Sequence, residues 1–227
     1  MTAWVPSALA ADPPTKSPND VAAIGTWTGF YAGVHGGMGW GTSRFDDPTV
    51  PTAFNNIEAS SNGPLAGGQI GANLQRGNFV YGVELDGSWA LVRGNASRTV
   101  PTVIAASSQL TKFRALATAT ARLGYTQGPW LVYGKVGGAW ADVKITARFT
   151  PDLTEYGQSW YGVATGTGVE VAFMRNVSAK VEYNFLYFPI EEMLWSNPTT
   201  PTSIDHYIHV VKAGINVRFG GAPLPVR

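Results

Sequence analysis

Four residues near the end of the chain have the types that nucleophilic catalysis uses. Ser203 has a hydroxyl nucleophile, and His206 or His209 has an imidazole base. Asp205 has a carboxylate that orients a histidine in such sites. However, Ser203 and His206 are too close in sequence for that geometry, and His209 faces outward from a predicted strand. We therefore interpret this segment as a polar rim and predict that the protein is not an enzyme.

Two carboxylates earlier in the chain have the spacing of an acid–base pair. Glu84 and Asp86 share one face of a predicted strand, as glycosidase carboxylates do. With Arg122 available as a partner, membership of an ion-pair network is the simpler interpretation. His35 is interpreted as a satisfied hydrogen-bonding group rather than a metal ligand. The chain has no cysteine, which excludes disulfides and thiolate metal sites, and we predict no metal and no cofactor.

The segment from Asp205 to Phe219 indicates which elements position these side chains. Apolar and polar residues alternate with a period of two, which predicts a β-strand with two different environments. Val211 and Ile215 lie on the apolar face, and Lys212 lies on the other. The segment is longer than the ~5–6 residues usual for a soluble strand and suits a tilted strand that crosses a bilayer.

Seven earlier segments show similar alternation and bring the number of predicted strands to eight. An even number of this size is typical of transmembrane barrels. The earlier strands are predicted at Trp27 to Gly41, Pro64 to Gln75, Phe79 to Leu91, Leu110 to Tyr125, Trp130 to Val143, Ser159 to Val171 and Val177 to Tyr187.

The connections between these strands alternate between long and short. Long connections are predicted at 42–63, 92–109, 144–158 and 188–204, and short ones at 76–78, 126–129 and 171–176. Outer-membrane barrels have short periplasmic turns and long external loops. The pattern predicts an all-β protein, an eight-stranded antiparallel up-and-down transmembrane β-barrel. Lipocalin-like soluble barrels also have eight strands, but their inner face is apolar, whereas the charges here fall on the glycine-rich inward face.

The charged side chains provide a physical test of this prediction. They fall in the inward phase of the strands, while outward mid-strand positions carry almost no charge. Buried charges are tolerated only when they are paired and hydrogen-bonded, so we predict a network of ion pairs that plugs the lumen. The predicted members are Glu84, Asp86, Arg114, Arg122, Lys135, Glu170, Lys180, Glu182, Lys212 and Arg218.

Aromatic residues near the strand ends predict the two girdles that mark membrane interfaces. The periplasmic girdle is predicted from Trp27, Phe30, Phe79, Tyr81, Tyr125, Trp130 and Phe219, and the external girdle from Trp40, Trp89, Trp140 and Tyr187.

The net charge is only +1 and charged residues are 14% of the chain, so nothing indicates a nucleic-acid partner.

The first residues have the character of a targeting segment. Residues 1–10 are largely apolar and end in Ala8-Leu9-Ala10, a small-x-small cleavage pattern, and we interpret them as a residual signal peptide. Residues 11–25 are predicted to be a periplasmic lead-in, residues 26–219 the barrel, and residues 220–227 a short C-terminal tail.

Several of these strands resemble the small porin-like outer-membrane proteins of alphaproteobacteria, whose architecture is that of the OmpA membrane domain. The resemblance implies a bacterial outer-membrane location, roles in envelope integrity or surface contact, and no catalytic residues. The matching segments are Trp27 to Gly33, Gly82 to Glu84, Ala121 to Tyr125, Val132 to Gly134 with Gly137 and Gly138, and Val181 to Tyr183.

The resemblance also implies an assembly signal in the last strand, read by the barrel-assembly machinery. Its residues here are Lys212, Gly214, Val217 and Phe219. The other expected partners are outer-membrane lipid, lipopolysaccharide and neighbouring outer-membrane proteins that the loops contact.

Two functions remain open from the sequence. The first is a structural protein with a plugged lumen and external loops that contact partners through apolar patches. The second is a narrow porin that passes small solutes or ions, for which the many inward glycines leave room. The loop residues suggested for contact are Pro101, Val103, Ile104, Ile190, Met193, Leu194 and Trp195.

Overall fold

The computed structural model of the protein describes residues 26–46, 57–98, 107–148, 153–191 and 203–220. These residues form a closed antiparallel barrel in which each strand pairs with its neighbours in sequence and β1 pairs with β8. The prediction of an eight-stranded up-and-down barrel is confirmed. The strands are β1 (Gly29–Asp46), β2 (Ile57–Arg76), β3 (Phe79–Arg98), β4 (Ser107–Gln127), β5 (Trp130–Arg148), β6 (Leu153–Ala172), β7 (Val177–Glu191) and β8 (Ser203–Phe219).

The strands extend further on the external side than the alternation predicts. Strands occupy parts of all four predicted long connections, and β5 and β6 are separated only by residues 149–152. The barrel wall therefore projects beyond the hydrocarbon layer, where period-two alternation is no longer enforced by lipid on one side. The predicted signal peptide, the lead-in up to residue 25, the tail from 221 and the loop residues suggested for contact, except Ile190, lie outside the described residues. The side chain of Ile190 does too.

The periplasmic turns are short, and two of them depend on glycine. Gly77 joins β2 to β3 with φ of 59°, and Gly128 joins β4 to β5 with φ of 57°. Only glycine adopts such positive φ angles without steric cost. These turns fix the register of both hairpins because loop length and turn type set strand pairing.

Outward and inward faces alternate along the strands as predicted from the sequence. Ile70, Val83 and Ile215 are exposed on the outside, whereas Glu84 and Lys180 are buried inside. A β-bulge between Phe113 and Ala115 interrupts this order on β4. A bulge places two residues of one strand opposite one residue of the next and re-aims a side chain.

The bulge overturns two sequence-based placements. Phe113, which the alternation places on the outward face because its neighbour Arg114 is predicted to face inward, points into the barrel and is 4% exposed. Arg114, predicted to be a lumenal charge, has a side chain that is 67% exposed and lies 3.9 Å from Asp142. The alternation of β4 was read correctly from Ala115 onward, but period two has no means of indicating an extra residue.

A layered lumen as the candidate functional site

The middle of the lumen holds a compact ion-pair network centred on Glu84. Lys135 Nζ donates to Glu84 Oε1 at 3.0 Å, and Lys180 Nζ donates to Oε2 at 3.3 Å. The Tyr31 hydroxyl also donates to Oε2, at 2.9 Å. The Arg122 guanidinium lies 3.8 Å away. Residues from four other strands thus converge on one carboxylate that is 2% exposed.

Glu182 occupies the corresponding position on the opposite wall. It accepts hydrogen bonds from Lys135 at 2.7 Å and from the Tyr133 hydroxyl at 2.8 Å, and it lies 3.4 Å from Lys180. Asn184 donates to it as well. Both lysines are therefore shared by Glu84 and Glu182, which links the two walls across the lumen. A shared network orders each additional side chain at lower entropic cost because its partner is already fixed.

Arg122 connects this network to the periplasmic side. Its Nη2 donates to Glu170 at 3.1 Å and its Nη1 to the Tyr31 hydroxyl at 3.2 Å. Its guanidinium lies over the Tyr133 ring at 4.3 Å, within range of a cation–π contact. Ser178 also donates to Glu170. The planar guanidinium makes all these contacts at once, which a lysine cannot do.

Glycines on the neighbouring strands make room for the two tyrosines. A Cβ at Gly71 would overlap the Tyr31 ring, and a Cβ at Gly168 would overlap the Tyr133 ring. In both halves of the barrel a tyrosine thus covers a glycine and donates to a glutamate. Inward glycines thus leave room for long side chains at these two sites.

A third polar group surrounds Asp86 and has the composition of a catalytic triad. His35 Nε2 lies 2.9 Å from Ser88 Oγ, and His35 Nδ1 lies 3.5 Å from Asp86 Oδ2. However, Nδ1 is closer to Gln69 Oε1, at 2.6 Å, and Asp86 Oδ1 accepts from Lys212 at 2.7 Å. The His35 and Asp86 side chains are 0% and 2% exposed. The group is thus buried and bound by Gln69 and Lys212, and it completes the polar layer.

An apolar layer covers the external side of the polar layer. Its members come from seven strands and include Trp160, which packs edge-on against Phe113 with ring centroids 5.6 Å apart. This external apolar layer consists of Leu65, Ala90, Phe113, Leu116, Ala139, Ala141, Val143, Trp160, Ala164, Leu186, Phe188, Ile208 and Val210. The sequence prediction of charges along the whole lumen did not include it. The sequence does contain an indication of this layer, because large apolar residues such as Leu65 and Ile208 occupy inward positions in the alternation.

A smaller apolar group closes the periplasmic end. Trp27, Val80, Leu131 and Ala172 pack there with Tyr133. Trp27 was predicted to belong to the periplasmic girdle on the lipid-facing surface, but it is 2% exposed, and its indole N–H donates to Thr126 Oγ1 at 2.8 Å. Gly29 explains the difference, because its φ of 134° lets the chain turn Trp27 inward ahead of β1. The polar layer is thus enclosed between two apolar layers.

Comparison with known proteins agrees with this architecture. Residues 18–219 match the model of the outer membrane protein beta-barrel domain family. The chain belongs to this family. The 22 kDa outer membrane protein of Rhizobium leguminosarum bv. viciae is 27% identical over 201 residues, which cover 88% of this chain and 81% of that protein. The 25 kDa outer-membrane immunogenic protein of Brucella abortus is 25% identical over 226 residues, covering 96% and 91%.

A solved structure gives the same result for the fold. The outer membrane protein OprG from Pseudomonas aeruginosa aligns with a TM-score of 0.50 at 12% identity, covering 86% of this chain and 99% of that one. The outer-membrane location and the resemblance to alphaproteobacterial outer-membrane proteins are confirmed by these relatives. Within the described residues, no helix is long and apolar enough to span a membrane.

In this member of the outer-membrane barrel family, nine of the ten predicted network charges lie in the lumen. Glu84, Asp86, Glu170 and Glu182 face Arg122, Lys135, Lys180 and Lys212, so carboxylates and cations are balanced. Arg218 is buried lower down, with its guanidinium 4.4 Å from the centre of the Trp27 ring. Arg114 is the exception described above.

The barrel wall separates His206 from His209, the two histidines considered for catalysis. His206 is buried inside, with its ring 4.3 Å from that of Trp160, while His209 lies outside against Trp40 and Tyr183. The side chains of Ser203 and Asp205 lie outside the described residues. Among the residues with described positions, no cluster of histidine and carboxylate side chains is suited to a metal ion.

In the suggested assembly signal, Lys212 faces the lumen and Phe219 faces the outside. The role of this segment in assembly stays a prediction.

Proposed function

We propose that this barrel is a structural component of the outer membrane with a sealed lumen, and that its external side contacts partners. The observation that carries the proposal is the external apolar layer above the charge-balanced polar layer. Phe188, Ile208 and Val210 in that layer are each at most 1% exposed. Ions cross an apolar constriction only at the cost of losing their hydration, so such a layer acts as a barrier.

The charge balance of the polar layer supports the same proposal. A conducting lumen needs charges that exchange their partners with passing ions, whereas Lys135, Lys180 and Arg122 each contact at least two carboxylates of the protein. Releasing any one of them leaves a buried charge unpaired, which is costly. The polar layer is therefore proposed to hold the strands in one arrangement rather than to line a pathway for ions or solutes.

The proposed partners are those found at the outer membrane: lipid, lipopolysaccharide, neighbouring outer-membrane proteins and the barrel-assembly machinery. The Brucella relative is called an immunogenic outer-membrane protein, and a surface-contact role of this chain is consistent with that name. We propose no enzymatic activity, because the serine–histidine–aspartate group in the lumen is buried and bound by Gln69 and Lys212. The envelope role is tested by deleting the gene that encodes this chain and measuring the sensitivity of the cells to bile salts. Complementation with the wild-type gene is the control.

A narrow pore is the second candidate, and one observation favours it. Asn73 Oδ1 and the hydroxyls of Thr118 and Thr120 are buried without a hydrogen-bond partner on the β2–β4 side. Buried polar groups are normally satisfied, and water is the usual partner where protein groups are absent. A file of water along this wall would provide a polar path past part of the network.

Conductance in a planar lipid bilayer separates the two candidates. The refolded protein is first checked for heat-modifiable mobility on a gel, so that only closed barrels are measured. The sealed-lumen proposal predicts no discrete conductance steps from the wild type or from the rim control Asp142→Asn. Steps whose size changes with Glu84→Gln would contradict it and establish the pore.

A further inference from the structure

An apolar groove runs along the outer wall of the barrel on the periplasmic half of β1 to β4. It has a volume of about 720 Å³, within the range of small-molecule sites. Its floor contains Ala32, Ala72 and Ala119, and its walls are formed by larger side chains such as Ile70 and Leu85. Alanines next to branched residues thus form a long depression in a surface that faces lipid.

The lower end of this groove lies at the periplasmic interface. Phe30 and Phe219 line it there and are 71% and 55% exposed, as members of the aromatic girdle. A shallower depression continues from the groove toward the middle of the membrane and shares Ala32 and Ile70 with it. The groove therefore extends from the headgroup region into the hydrocarbon layer, the path that one acyl chain takes.

An arginine lies on the same face of β2, on the periplasmic side of the groove. Arg76 is exposed at the end of β2 and forms no ion pair with any other residue that the structure describes. It follows Ala72 by four positions, roughly 13 Å along a strand. Among the described residues, the strand ends and turns on the periplasmic side expose Arg76 and Arg175 and no carboxylate. This end of the groove is thus positively charged.

We propose that the groove binds one anionic glycerophospholipid of the periplasmic leaflet. The phosphate-containing headgroup pairs with Arg76, and an acyl chain lies over Ala72 and Ala32. The pairing of a charged end with an apolar groove matches an amphipathic ligand. A second copy of the chain fits less well, because a two-fold dimer through this face would bring two Arg76 side chains to the same level near its axis. The proposal is independent of whether the lumen conducts.

Native mass spectrometry of the full chain refolded in detergent tests this proposal. The barrel is titrated with dioleoyl phosphatidylglycerol, which is anionic, or with dioleoyl phosphatidylethanolamine, which is zwitterionic. Arg76→Gln is expected to weaken phosphatidylglycerol binding about fivefold, the effect of one basic residue at a lipid surface, and to change phosphatidylethanolamine binding little. Arg175→Gln removes the same charge from a turn between β6 and β7 and is the matched control.

A second pair of variants tests the groove itself. Ala72→Trp fills the groove from the lipid side and is expected to weaken binding of both lipids, whereas Ala179→Trp on the outer face of β7 is expected to leave binding unchanged. Heat-modifiable mobility verifies folding of each variant. Equal binding by Arg76→Gln and Arg175→Gln would overturn the proposal, as would equal binding by the two tryptophan variants. Detection of a dimer that Ala72→Trp abolishes would also overturn it and assign the groove to a second copy.

Discussion

The polar and apolar layers of the lumen occupy the same barrel but stabilise it in different ways. In the polar layer each group depends on specific partners, as Glu84 does on Lys135, Lys180 and Tyr31. In the external apolar layer, side chains such as Leu186 and Ile208 are stabilised by close packing, which does not require a specific partner or a specific bond direction. Under the proposed function, the polar layer fixes one arrangement of the strands, and the apolar layer excludes water from it.

Removing a central charge is expected to have the largest effect. Glu84→Leu leaves Lys135 and Lys180 with one carboxylate instead of two, and unpairing a buried charge costs about 3–5 kcal/mol. The free energy of unfolding is measured by urea titration in detergent micelles. The control Asp142→Leu breaks an exposed pair at the rim. An unchanged unfolding midpoint for Glu84→Leu would refute the structural role of the network.

Single substitutions in each layer sharpen the comparison between the two layers. In the apolar layer, Leu186→Ala is expected to cost about 2–4 kcal/mol, but Leu186→Met less than about 1.5 kcal/mol because volume is retained. In the polar layer, Glu182→Gln also retains volume but is expected to cost about 2–3 kcal/mol, since hydrogen bonds to a charged group are lost. The same urea titration measures all three. Equal costs for Leu186→Met and Glu182→Gln would remove the distinction between the layers.

The two tyrosines test whether the halves of the polar layer are equivalent. Tyr31→Phe and Tyr133→Phe each remove one hydroxyl that donates to a glutamate, at 2.9 Å and 2.8 Å. Tyr133→Phe is expected to lose about 1.5 kcal/mol of unfolding free energy, the lower end for hydrogen bonds to charged groups, and Tyr31→Phe somewhat more because its hydroxyl also accepts from Arg122 at 3.2 Å. A much larger loss for one tyrosine would show that the halves differ despite their matching geometry.

The smallest effect is expected at the rim. Arg114→Gln removes an exposed charge 3.9 Å from Asp142, and exposed pairs contribute less than about 1 kcal/mol. Its unfolding midpoint is therefore expected to match that of the wild type within error. A loss as large as that of Glu84→Leu would show that Arg114 belongs to the network after all.

The sequence was informative wherever lipid on one side enforced a period of two. It predicted the strands, the closed topology and the face of every central charge from Glu84 to Lys212. It failed at Arg114 because the β4 bulge adds a residue, and at Trp27 because this residue precedes the first strand, which begins at Gly29 with a positive φ. The pairing of Lys135 with both Glu84 and Glu182 could not be predicted, since contacts across the lumen depend on how far the strands are staggered around the barrel.

Accessibility of the polar layer to water-soluble reagents tests the sealed lumen most directly. The chain has no cysteine, so Thr120→Cys introduces a single thiol in the polar layer, at a position whose hydroxyl has no hydrogen-bond partner in the described structure. Gln127→Cys at the periplasmic end of β4 is the exposed control. A charged methanethiosulfonate reagent applied to both sides of proteoliposomes should label Gln127→Cys and leave Thr120→Cys unmodified. Labelling of Thr120→Cys at the rate of the control would contradict a sealed lumen.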